Sequence, residues 1–137
     1  MEALKCKIKI SILWTSFAIC ASAAMIIWFI EPGILKQIMT TGEMAGGKLT
    51  EGTIISFTLW WLIPLIMAFL TQILNYTLNR WLNMLLGVIF AVAIIFYFTS
   101  NLIAGWFKVA NFLIIVFIFV ITVLIAGHAW KLPKEEM

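Results

Sequence analysis

Charged residues are clustered along this chain, and four long uncharged stretches lie between the clusters. Residues 10–30, 52–79, 81–107 and 109–130 contain no Asp, Glu, Lys or Arg. A helix needs about 20 predominantly apolar residues to cross a bilayer, so each stretch is long enough to span. The pattern predicts helices near 9–30, 53–75, 80–99 and 107–130, joined by an outer loop at 31–52. The first stretch begins like a signal peptide, with Lys5, Lys7 and Lys9 before it and Ala21-Ser22-Ala23 imitating a cleavage site. Its apolar run continues through Ile30, however, beyond the roughly 7–15 residues of a signal core. A retained first span is therefore expected.

The connections refine the picture. Glu31-Pro32-Gly33 stops the first helix. After it, Ile34, Leu35, Ile38 and Met39 fall on one face at helical spacing, which predicts a short amphipathic helix lying at the outer interface. Residues 75–80 read as a tight hairpin in which Asn79 can cap the third span. Short links make successive spans antiparallel neighbours. The expected fold is an all-α membrane protein, one domain over residues 1–137, with four spans in an up-down-up-down bundle.

Composition agrees. The 137 residues are 64% hydrophobic and 11% charged, with a mean hydropathy of +1.12. An ordinary soluble domain is about 45–50% apolar and about 25% charged. There is too little charge here to cover a soluble globule, and too little polarity for a disordered chain. The net charge of +3 does not point to nucleic acid, because the basic residues form no continuous face or recognition motif. They instead report orientation. Both tails and the 76–80 hairpin hold Lys5, Lys7, Lys9, Arg80, Lys131 and Lys134, against Lys36, Lys48 and Lys108 on the other side. Excess Lys and Arg mark the cytoplasmic side, so both termini of a multi-pass membrane protein are expected in the cytoplasm. Trp14, Trp81 and Trp130 then fall near the cytoplasmic ends, and Trp28 and Trp106 near the outer ends, where amphipathic rings favour the headgroup level. Trp60 and Trp61 lie deeper and suit either packing or a cavity wall.

Candidate chemistry is sparse. The six acidic residues are all Glu in tails or the outer loop, and His128 sits near a helix end. Intramembrane ionisable residues are the usual mark of proton-coupled transport, and none lies mid-span. Cys6 and Cys20, on one helix, are about 21 Å apart at 1.5 Å per residue, too far for a disulfide with each other. No nucleophile–base pair, metal-ligand cluster or redox dithiol is visible, so the expected protein is non-enzymatic and carries no cofactor. What remains is a weakly polar face. Ser56, Trp60, Pro64, Ala68, Thr71 and Asn75 recur at spacings of three and four on the second span, with Gln72 beside them and Asn83 on the third. The set Ser56, Trp60, Thr71, Gln72, Asn75 and Asn83 is a candidate lining for a ligand pocket. Small residues also let membrane helices approach closely. Ser16, Cys20 and Ala24 on the first span, and Gly87 and Ala91 on the third, are the candidate packing positions.

Several landmarks occur together: Leu13-Trp14, Glu31-Pro32-Gly33-Ile34-Leu35, Leu49-Thr50-Glu51-Gly52, Asn79-Arg80-Trp81-Leu82-Asn83 and Ala129-Trp130-Lys131-Leu132-Pro133. In these the chain resembles an uncharacterised bacterial family of small four-span membrane proteins, broadly similar to DoxX-like bundles. The resemblance implies fold and topology and no established activity. In the stretch of the first span where such proteins tend to carry an acid, this chain has Ala24-Met25-Ile26. Two functions fit. One is a membrane protein that binds or passes a small apolar or lipid-like molecule. The other is a structural or accessory subunit, in which the Ser16, Cys20 and Ala24 stripe docks a partner membrane protein or a second copy. The bilayer itself is the expected environment in either case.

Overall fold

The computed structural model describes residues 1–44, 47–103, 105 and 109–133. In chain order the elements are α1 (Glu2–Phe29), α2 (Ile34–Thr41), β1 (Glu43–Met44), β2 (Gly47–Lys48), α3 (Glu51–Ile73), α4 (Tyr76–Ile103) and α5 (Val109–Trp130). The four long helices, α1, α3, α4 and α5, are each apolar and long enough to cross a membrane, and they pack together. This is the architecture of a small multi-span membrane protein. In lipid the backbone must satisfy its own hydrogen bonds, so apolar stretches of this length fold as helices. Most of their large side chains point outward, as with Leu113, Phe117 and Val120 on α5, because lipid tails solvate them as well as a protein core does.

The termini of the helices follow from local chemistry. Thr50 opens α3 by accepting the Thr53 amide on its side chain at 3.3 Å, which satisfies one of the partnerless first-turn donors. Leu74 then leaves the helix in an extended conformation. Asn75 takes the Leu78 amide on Oδ1 at 3.0 Å, so Asn75, and not Asn79, caps the next helix. α4 therefore starts at Tyr76, and Asn79 is carried into the bundle, where it is fully buried. α1 begins at Glu2 instead of near residue 9, which draws Lys7 into the fold. Only 7% exposed, Lys7 donates from Nζ to the Leu74 carbonyl at 3.1 Å. A cation is well placed there, where the last carbonyls of α3 lack helical partners.

Between α1 and α3 the chain folds over the loop end of the bundle. Gly33 (φ 95°) precedes α2 and Gly42 (φ 66°) ends it, the latter donating its N–H to Ile38 at 3.0 Å. Side chains other than glycine strain at such positive φ. A small antiparallel hairpin pairs Glu43 with Lys48 and Met44 with Gly47. Ile34 and Met44 are the residues this segment buries against the bundle.

The helices are not packed evenly. α1 lies against both α3 and α5, and α5 against α4, while the consecutive helices α3 and α4 barely touch. Where α4 crosses α5, a Cβ on Gly87 would stand 3.2 Å from Ala126 Cβ, from the Ala126 nitrogen and from the Thr122 carbonyl. Two of those three neighbours are backbone and cannot step aside. Gly87→Val is expected to destabilise the bundle by about 1–3 kcal/mol, as overpacking does. Gly127→Val, where an added Cβ meets nothing within 4 Å, should be near neutral. Unfolding in mixed micelles of increasing denaturing detergent compares the two.

Candidate functional site

The C-terminal halves of α1 and α4 and the N-terminal halves of α3 and α5 surround a cavity of about 540 Å3. Its existence follows from side-chain size. α1 and α4 present the small residues Ala21, Ala24 and Ala93 to it, at positions where larger residues would fill the space. The remaining wall is aromatic and weakly polar. From α3 come Thr53, Ser56, Phe57, Trp60 and Trp61, at helical spacing on one side. From α4 come Tyr97, Ser100 and Asn101, and from α5 Asn111, with Trp28 of α1 and Met44 of the hairpin closing the loop end. Among the described residues no charged side chain lines the cavity.

An aromatic cluster makes the floor. Phe90 packs edge-on against Phe17 (centroids 5.0 Å apart) and Trp14 (5.7 Å), and Trp60 lies tilted over Phe90 at 4.9 Å. Such pairs contribute about 0.5–1.5 kcal/mol each beyond their burial. Beneath the floor is a buried polar cluster. Trp14 donates from Nε1 to Asn83 Oδ1 at 2.6 Å. The Thr71 hydroxyl lies 3.1 Å from the same oxygen and 2.7 Å from the Met67 carbonyl. Asn83 Nδ2 donates to the Asn79 carbonyl at 2.8 Å and to Asn79 Oδ1 at 2.5 Å, and Asn79 Nδ2 donates to the Thr71 carbonyl at 2.7 Å. The cluster ties α1, α3 and α4 together beside the short Leu74-Asn75 link. α3 and α4 are thus pinned at the end bearing the termini and separate toward the loop end, where the cavity lies between them.

The six pocket candidates are divided between these places. Ser56 and Trp60 line the cavity. Thr71 and Asn83 belong to the buried cluster. Gln72 donates to Ser11 Oγ at 2.6 Å and to the Lys7 carbonyl at 3.2 Å, linking α3 to α1, and Asn75 caps α4. Of the packing candidates, Gly87 is at a close contact of α4 with α5, Cys20 is half-buried against the core, Ala24 faces the cavity and Ala91 is half-buried. Ser16 bonds back to the Ile12 carbonyl of its own helix at 2.8 Å. Both cysteines are free thiols. Trp14, read from sequence as an interfacial ring, is fully buried, while Trp81 and Trp130 are exposed and Arg80 stacks 5.1 Å from the Trp130 ring centroid. Trp106 and Lys108 lie outside the described residues. Tyr97, Ser100, Asn101 and Asn111 were not singled out by spacing. The recurrence of Ala93, Tyr97 and Ser100–Asn101 at three- and four-residue intervals is the signal that carries three of them.

At the opposite end a shallow depression of about 250 Å3 is bordered by Lys5, Lys9, Lys131 and His128, with Glu2 and Cys6 beside them. Among the described residues no group of three or more His, Cys, Asp or Glu gathers to hold a metal. The chain matches no family model, no curated protein and no solved structure.

Proposed function

We propose that this is a non-enzymatic four-span protein of a bacterial inner membrane, up-down-up-down with cytoplasmic termini, that binds a small apolar or lipid-like molecule in the cavity at the loop end. The observation that carries the reading is the cavity itself. At about 540 Å3 it falls within the roughly 300–1,000 Å3 of small-molecule sites, and it has their usual make-up of apolar walls with a few polar groups. Ser56 and Trp60 are its residues from the pocket set. The aromatic floor and the polar cluster fill the other half of the bundle, which favours holding a molecule over passing it across. Binding is also favoured over docking through the Ser16, Cys20 and Ala24 stripe, because Cys20 and Ala24 are engaged within the chain. The DoxX-like resemblance adds fold and topology to this reading, not activity.

Native mass spectrometry of the protein released from nanodiscs tests the proposal. The expected result is a retained small molecule at fixed stoichiometry. Ala24→Phe, which places a ring where the wall now has a methyl group, should lower that retention about ten-fold or more. A wild-type protein that emerges empty, or equal retention in the variant, rejects the cavity as the site.

A further inference from the structure

The walls of the cavity also constrain what it holds, if it is a binding site as proposed above. Three observations bear on the ligand. The first is size. At about 30 Å3 for each water-sized group, 540 Å3 accommodates roughly 18 non-hydrogen atoms, which bounds the part of a ligand held within the walls. The second is access. α3 and α4 barely touch although both line the cavity, so the side of the cavity between them is open to the bilayer, and a molecule arriving there has already dissolved in lipid. The third is polarity. The polar groups of the wall are uncharged hydroxyls, amides and indole N–H groups, and among the described residues Trp61 Nε1 is buried without a hydrogen-bond partner. The Ser56 hydroxyl is turned to the Gly52 carbonyl at 2.9 Å and Asn101 Nδ2 to the Tyr97 carbonyl at 2.7 Å. Asn111, half-buried on α5, makes no side-chain hydrogen bond among the described residues. Its amide offers two donors and an acceptor at the polar end of the cavity. Taking a bare charge out of water is costly unless it is paired, and no described lining residue pairs one. Ring faces attract cations, but no carboxylate among the described lining residues completes such a cage.

We infer that the cavity takes an uncharged amphiphile with roughly 15–20 non-hydrogen atoms inside its walls, drawn from the bilayer between α3 and α4, with a neutral hydrogen-bonding head at Asn101 and Asn111 and an apolar body against Phe57 and Trp60. The test uses three photoreactive benzophenones of nearly equal size, about 16–17 non-hydrogen atoms each: 4-benzoylbenzamide, 4-benzoylbenzoate and 4-benzoylbenzylamine. Each is irradiated with the full-length protein in nanodiscs, and labelled residues are located by peptide mass spectrometry. Labelling of cavity residues is divided by labelling of the lipid-facing Phe117 in the same sample, which cancels differences in partitioning. The amide should exceed both charged probes by about ten-fold in this ratio, and Asn111→Leu should lower the amide ratio about five-fold, the worth of one hydrogen bond of ordinary strength. Equal or stronger cavity labelling by the acid or the amine overturns the neutral class while leaving the cavity a binding site. An unchanged amide ratio in Asn111→Leu overturns the placement of the head. Absence of cavity labelling by all three, or labelling that Ala24→Phe does not reduce, overturns the binding site itself. The wild-type comparison needs no variant to fold.

Discussion

Asn83→Leu is expected to destabilise the protein by about 2–4 kcal/mol, more than any polar substitution in the wall of the cavity. Asn83 is the hub of the buried cluster. It accepts from Trp14, lies 3.1 Å from the Thr71 hydroxyl and donates twice to Asn79, so a single side chain joins α1, α3 and the first turn of α4. Individual hydrogen bonds between membrane helices are modest, about 0.6 kcal/mol on average and up to about 1.7. The larger figure arises because leucine removes several at once. It also leaves the Trp14 N–H and the Asn79 side-chain oxygen buried without these partners, which costs about 1–3 kcal/mol for each group left unsatisfied. Asn101→Leu, on the same helix but facing the cavity, should change stability by less than about 0.5 kcal/mol, as surface-like sites do. Detergent-titrated unfolding of both variants reads the difference directly. Equal effects would show that the cluster is not what pins α3 to α4.

The contrast between these two asparagines also shows how far the sequence can be read. The long uncharged stretches predict long apolar helices because the bilayer leaves few alternatives to a helix. The helical spacing of Ile34, Leu35, Ile38 and Met39 predicts α2 because one apolar face recurs every three to four residues. Helix ends set by side-chain capping were less legible. Asn75 and Asn79 are both acceptable caps, and which one acts depends on where α3 stops. Least legible was the direction each helix faces. A span that is apolar all round carries little amphipathic signal, so Ser56, Trp60, Thr71 and Asn75 share a face in sequence without revealing what that face meets. In the fold the Phe90 cluster cuts that stripe in two. Its outer members line a cavity and its inner members join a network or a cap. Trp14 escaped for a related reason. An indole suits the membrane interface, but a buried acceptor suits it equally well, and that acceptor lies on α4, 69 residues away along the chain. The cavity draws its wall from four helices and a hairpin, so no local pattern could contain it.

Phe90→Ala should have two effects of opposite sign, and together they test whether the aromatic floor sets the size of the ligand. Phe90 is 4% exposed and touches the rings of Trp14, Phe17 and Trp60. In a soluble core Phe→Ala costs about 3–5 kcal/mol. Part of that is transfer from water, which has no counterpart between helices in lipid. The lost contacts and the void remain, so a loss of about 2–4 kcal/mol is expected in detergent-titrated unfolding. The void would open downward from the existing cavity toward Asn83. An apolar molecule too long for the wild-type cavity should therefore bind the variant and restore part of its stability, because a ligand that binds only the folded state stabilises it. Photolabelling with benzophenones carrying progressively longer neutral alkyl chains measures this. The longest chain accepted should increase in Phe90→Ala and labelling should spread to Trp14 and Asn83. If stability falls but the accepted length is unchanged, the floor supports the bundle without limiting the ligand, and size selection must come from the gap between α3 and α4.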